Sequence, residues 1–85
     1  MEKRIGTVII GIEKRESAPS VNAIISKHSD IVIGRLGLPR TEGMSLINLV
    51  VEGTTDEIGS LTGQLGKLTG IEVKSAVLPV ISTGA

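Results

Sequence analysis

Apolar positions along the chain follow two periods. Ile5 to Ile12 reads I-G-T-V-I-I-G-I, and the segments Ile31 to Leu38, Met44 to Glu52 and Ile71 to Val80 are similarly rich in Ile, Leu and Val. These predict four strands. Both faces of the first are apolar, which places it centrally in a sheet. In the third, Ile47, Leu49 and Val51 alternate with Leu46, Val50 and polar residues, so the two sets face opposite ways. In the fourth, Ile71, Val73 and Val77 point inward, and Glu72 and Lys74 point out.

The other period is helical. Val21, Ile24, Ile25 and His28 share one face of a helix predicted over Ala18–Lys27, with Ser17 as its cap and Pro19 near its first turn. Ile58, Leu61, Leu65 and Leu68 form the apolar stripe of a second helix, Asp56–Leu68. Thr54 caps it, Glu57 closes a capping box, and Gly70 occupies the position of a left-handed C-cap. Gly59, Gly63, Gly66 and Gly70 recur at the same spacing on nearly the opposite face.

The resulting order is βαββαβ. Its fold class is α+β: a ferredoxin-like sandwich with a four-stranded antiparallel sheet and two helices on one face. Right-handed crossovers make strands one and three central neighbours. The second sheet face is then bare, and Leu46 and Val50, with alternate residues of the first strand, form an apolar patch there. The expected organisation is one domain over residues 1–81 and a tail over 82–85.

Composition narrows the functions available. The chain has 85 residues, 40% of them apolar, with no Phe, Tyr or Trp. A small aliphatic core leaves a domain of this size marginal unless association buries more surface. The absence of aromatics removes base-stacking platforms and quaternary-amine cages. Nine basic residues balance nine acidic ones, so the footprint of a nucleic-acid binder is missing. With no cysteine, disulfides, thiolate metal sites and cysteine nucleophiles are excluded, and one histidine does not make the usual metal set. The apolar run after Met1-Glu2-Lys3-Arg4 is shorter than a membrane span and lacks a clean signal-peptide cleavage region. The expectation is a cytoplasmic protein that holds no cofactor or metal and contacts neither membrane nor nucleic acid directly.

Several side chains are candidates for chemistry, each with a plainer alternative. The loop from Gly11 through Glu13, Arg15 and Ser17, with Asn22 just inside the helix, offers a ligand lip at a helix N-terminus. Its plainer reading is a solvated connector. Arg35 interrupts an apolar strand and Arg40 follows in the hairpin; either suits a carboxylate, or simply blocks edge-to-edge aggregation. His28 is a pH or metal sensor on one reading, and on the simpler one a helix C-terminal residue complementing the dipole. Gly59, Gly63 and Gly66 cost the helix roughly 1 kcal/mol each relative to alanine, which suggests close approach by another backbone. No G-x-S-x-G elbow or paired carboxylate is present, so the chain is not read as an enzyme.

The stretch TTDEIGSLTGQLGKLTGIEVKS, supported by ESAPSVNAIISKHSDIVIGRLGLP and INLVVEGTTDEIG, resembles the family of iron-only hydrogenase system regulators. The likeness covers about Lys3 to Leu78, and T-D-E-I-G-S-L-T-G-Q-L-G, Thr55 to Gly66, is its most specific part. It implies an ACT-like domain, related in fold to small regulatory ligand-binding modules and to the C-terminal domain of the nickel-responsive repressor. The repressor's metal is not carried over, since this chain lacks the ligands. The resemblance implies a ligand-sensing regulator: a homo-oligomer, dimer or tetramer, with a small-molecule effector near a subunit interface and a hydrogenase-system protein as a further partner. Candidate ligand residues are Gly11, Glu13, Arg15, Ser17, Asn22 and Arg35; candidate interface residues are Leu46, Val50, Gly59, Gly63 and Gly66. The alternative is an interaction adaptor that binds no small ligand.

Overall fold

The computed structural model describes residues 2–39 and 43–79. Its elements run β1 (Arg4–Ile12), α1 (Ala18–Lys27), β2 (Val32–Leu38), β3 (Ser45–Gly53), α2 (Thr55–Gly66) and β4 (Ile71–Val77), with a short 3₁₀ turn, Arg15–Ser17, leading into α1. The strands form one antiparallel sheet in the order β2-β3-β1-β4, which puts the two apolar strands β1 and β3 in the centre, as expected. Strand β4 ends at Val77, short of the expected Val80, because the chain leaves the ladder before Pro79, which has no amide N–H to donate; Arg40 in the hairpin, Val80 and the tail over 82–85 lie outside the described residues.

Both helices cover one face. Val8, Ile10 and Ile12 of β1 and Ile47, Leu49 and Val51 of β3 point toward them and meet Val21 and Ile25 of α1 and Ile58, Leu61 and Leu65 of α2. Every core side chain is aliphatic, and among the described residues no buried side-chain nitrogen or oxygen lacks a hydrogen-bond partner. Burial of each such residue stabilises the fold by roughly 1.5–3 kcal/mol relative to exposure.

The capping box on α2 is fully formed. The Glu57 amide donates to Thr54 Oγ1 at 3.1 Å, and the Thr54 amide donates to Glu57 Oε1 at 2.8 Å. Gly53 makes room for this exchange: a Cβ there would sit 3.0 Å from Ile31 Cγ2 and 3.1 Å from Glu57 Oε1.

Four further details differ from the sequence reading. Ser17 precedes α1 but its hydroxyl does not cap it, because the 3₁₀ turn puts Ser17 in helical rather than extended backbone. Helix α2 ends at Gly66 instead of continuing to Leu68. The Leu68 amide bonds back to the Leu65 carbonyl, tightening the chain out of the helix. Gly70 does take a left-handed φ of +75°, but in the turn before β4 and not as the helix cap. Finally, β2 begins at Val32. Ile31 lies in the preceding turn, buried in the core, and a bulge follows between Val32 and Gly34.

Candidate functional site

Every second residue of each strand points away from the helices, and the pairing register sorts these residues into rows. One row, from β2 across to β4, is Gly34, Val50, Thr7 and Ala76. The next is Leu36, Asn48, Ile9 and Lys74, followed by Leu38, Leu46, Gly11 and Glu72. At the other end Ile5 pairs with Glu52, and the Leu78 amide bonds to the Ile5 carbonyl. Large apolar side chains are left in water here: Leu36 is 57% exposed, Ile9 48% and Ile5 44%.

A depression lies between the Val50, Thr7 and Ala76 part of the first row and the Ile5 end of the face. Ile5, Thr7, Val50, Ala76 and Leu78 line a groove of about 290 Å³. Thr7 Oγ1 donates to Asn48 Oδ1 at 2.6 Å, so the polar pair at the centre of the face already partners itself. In the third row, a Cβ on Gly11 would meet Met44 Sδ at 2.5 Å; the thioether lies where a side chain would stand. Leu46 and Val50, singled out from sequence, both belong to this face. Thr7, Ile9, Leu36, Leu38 and Asn48 belong with them, and only the cross-strand register reveals which of these are neighbours.

The residues expected to form a ligand lip do not converge on one point. Gly11 is buried on the open side of the sheet. Glu13 and Arg15 are exposed in the connection to α1, where the Glu13 amide donates to the Gly70 carbonyl at 2.9 Å. Ser17 Oγ donates to the Thr69 carbonyl at 2.9 Å, which ties this connection to the one between α2 and β4. Arg35 and Asn22 are brought together on the helix side of the sheet edge: the Arg35 guanidinium donates to Asn22 Oδ1 at 2.7 Å. That pairing uses one donor of the fork and leaves others to act on an anion.

The helices carry two further features. Gly59, Gly63 and Gly66 face open space, with nothing within 4 Å of an added Cβ. His28, by contrast, is engaged between the helices. Its Nδ1 lies 2.8 Å from the Ile24 carbonyl, which can only accept, so the proton is assigned to Nδ1. Nε2 lies 3.2 Å from Ser60 Oγ, and Gln64 Nε2 donates to that same hydroxyl at 3.1 Å. His28 thus joins α1 to α2, in line with a structural role at the helix end. Among the described residues, no group of three His, Cys, Asp or Glu side chains is placed to hold a metal ion, and no helix is long and apolar enough to cross a membrane.

This order of strands, with two helices on one face, defines an ACT-like module of the ferredoxin-like class. Residues 4–75 match the family model described as "TM1266-like: Iron-only hydrogenase system regulator, putative", and the chain belongs to that family. Among solved structures, the uncharacterized protein TM1266 from Thermotoga maritima is 32% identical, with a TM-score of 0.87 over 92% of this chain and 100% of that one. The ACT domain from GTP pyrophosphokinase of Chlorobium tepidum is 22% identical, with a TM-score of 0.70 over 88% and 97% of the two chains. The nitrogen regulatory PII-like protein CPII from Thiomonas intermedia, bound to ADP, AMP and bicarbonate, is 14% identical, with a TM-score of 0.50 over 91% of each chain. The latter two likenesses show the fold alone. No curated protein matches the chain.

Proposed function

We propose that this chain is a ligand-sensing regulatory module of the iron-only hydrogenase system, acting as a homo-oligomer with a small-molecule site near a subunit interface. The observation that carries this reading is the open sheet face. It carries exposed apolar side chains on β1, β2 and β3, with Glu52, Glu72 and Lys74 toward its margins, its central polar pair is already hydrogen-bonded, and it belongs to a domain too small to be generously stable alone. Arg35, on the helix side of the β2 edge and apart from Glu13 and Arg15, has guanidinium donors to spare for an acidic effector at an edge that a second subunit can reach. An effector there acts by favouring one subunit arrangement over another, which requires different affinities for the two. The PII-like structure with the same overall fold holds adenine nucleotides and bicarbonate. These ligands therefore belong in the first panel to test, beside amino acids.

The test has two arms. Light scattering at micromolar concentration should give at least twice the mass of one chain. A thermal-shift panel of amino acids, adenine nucleotides, bicarbonate and divalent metals should contain a compound that raises the melting temperature in a concentration-dependent way. A protein that oligomerises but responds to nothing in a broad panel would favour the adaptor reading, and the hydrogenase-system protein would then be the partner to seek.

A further inference from the structure

We infer that the open face binds a second copy of itself about a twofold axis that lies in the interface and runs across the strands at Val8, so that the ridge of one copy fills the groove of the other. This rests on the homo-oligomeric reading above and adds the register. Gly34, Thr7 and Ala76 make one row low, while Leu36, Ile9 and Lys74 make the next row high on the same three strands. On β3 the facing residues, Val50 and Asn48, are of nearly equal bulk. An axis between these rows sets each high residue over the low residue of its own strand in the other copy: Leu36 over Gly34, Ile9 over Thr7, and the Lys74 stem over Ala76. Each contact is made twice, as an isologous interface requires.

The groove of about 290 Å³ holds the Thr7 and Ala76 part of the low row, walled by Ile5, Val50 and Leu78, and Ile9 and the Lys74 stem of the second copy are its occupants. The other simple twofold, parallel to the strands between β3 and β1, stacks high on high and low on low. It sets Leu36 against Lys74 and Gly34 against Ala76, crowding one row and leaving a void in the other. Sheets packed face to face lie about 10 Å apart and need interdigitated side chains, so the crossing axis is favoured. It also brings the Asn48 amide beside the second copy's Thr7 hydroxyl, giving its free N–H a partner on burial.

The area is sufficient for modest affinity. Four strands about 4.8 Å apart and seven residues rising about 3.3 Å each cover roughly 440 Å² per copy in projection. Doubling this gives roughly 900 Å² before corrugation is counted, near the lower bound of about 1,000 Å² for a specific interface. Glu72 and Lys74 sit on the edge strand, where their charged ends reach the wet rim.

The closing experiment is a size swap read by light scattering or sedimentation. Thr7→Ile raises the low row and Ile9→Thr lowers the high one; each alone should weaken association by about tenfold or more. The double variant Thr7→Ile, Ile9→Thr restores large over small and should recover association. Gly34→Leu, whose Cβ would meet only Val50 at 3.5 Å, should also dissociate the oligomer while the melting of dilute protein shows an intact fold. A wild-type oligomer that ignores the single changes, or a double variant that stays dissociated, overturns the register and leaves the oligomeric reading standing. A wild-type chain that remains monomeric at millimolar concentration, its face filled by another protein or an apolar ligand, overturns both.

Discussion

Leu49 and Val50 are consecutive residues of β3 in two different environments. Leu49 is 0% exposed beneath the helices, whereas Val50 is 39% exposed on the opposite side of the same sheet. Both are aliphatic, so hydrophobicity along the strand does not distinguish them; what covers each one does. The inner face is saturated by residues of this chain. The outer face has similar chemistry and no cover among the described residues, and so its apolar surface is available to drive association.

The largest test of this contrast is Leu49→Ala. It should cost about 2–5 kcal/mol in urea or thermal denaturation, through lost transfer energy and the cavity left behind. Val50→Ala in dilute, dissociated protein should change stability by less than about 0.5 kcal/mol. Equal losses for the two would mean that the outer face is covered at all concentrations. Leu46→Lys with Val50→Lys goes further: it places two charges on the outer face and should yield monomers that retain their helical and strand circular dichroism.

Gly59→Ala and Gly63→Ala ask whether the glycine stripe belongs to the covered or the uncovered class. Nothing lies within 4 Å of either added Cβ, so each should stabilise the isolated chain by about 1 kcal/mol through helix propensity. A fall in oligomer mass with these variants would assign the stripe to a subunit contact. No fall, with a raised melting temperature, would show that it is idle.

The smallest effects concern the capping box. Thr54→Ala should cost about 1 kcal/mol. Hydrogen bonding from the Thr54 backbone, and then from its hydroxyl, holds the Glu57 carboxyl below its usual value. The contribution of this charge is therefore complete above the ordinary carboxylate pKa and is lost as pH falls through the lowered folded-state value. Wild type should lose more melting temperature on acidification through this window than Glu57→Gln; parallel losses would show that the charge contributes nothing.

Most of the architecture was legible because the signals are local. Alternation in β1 and β3, the T-x-x-E box of α2 and the apolar stripes of both helices each sit within a few residues. Ser17 was misread because a serine before a helical pattern looks like a cap, while its real partner, the Thr69 carbonyl, is tertiary. Arg35 and Asn22 were visible singly, but their pairing depends on where β2 docks beside α1. The open face was legible as an alternation, yet its high and low rows follow from cross-strand register, which a single strand does not encode.

The Ser17–Thr69 bond, with its companion from Glu13 to Gly70, has a kinetic consequence. It joins residues 52 apart in the chain and closes a loop that contains α1, β2, β3 and α2. Such a contact forms only after the intervening elements have been brought into place. The two connections should therefore open as one cooperative unit, and the Glu13 amide should exchange its hydrogen at a rate set by that joint opening rather than by local fraying.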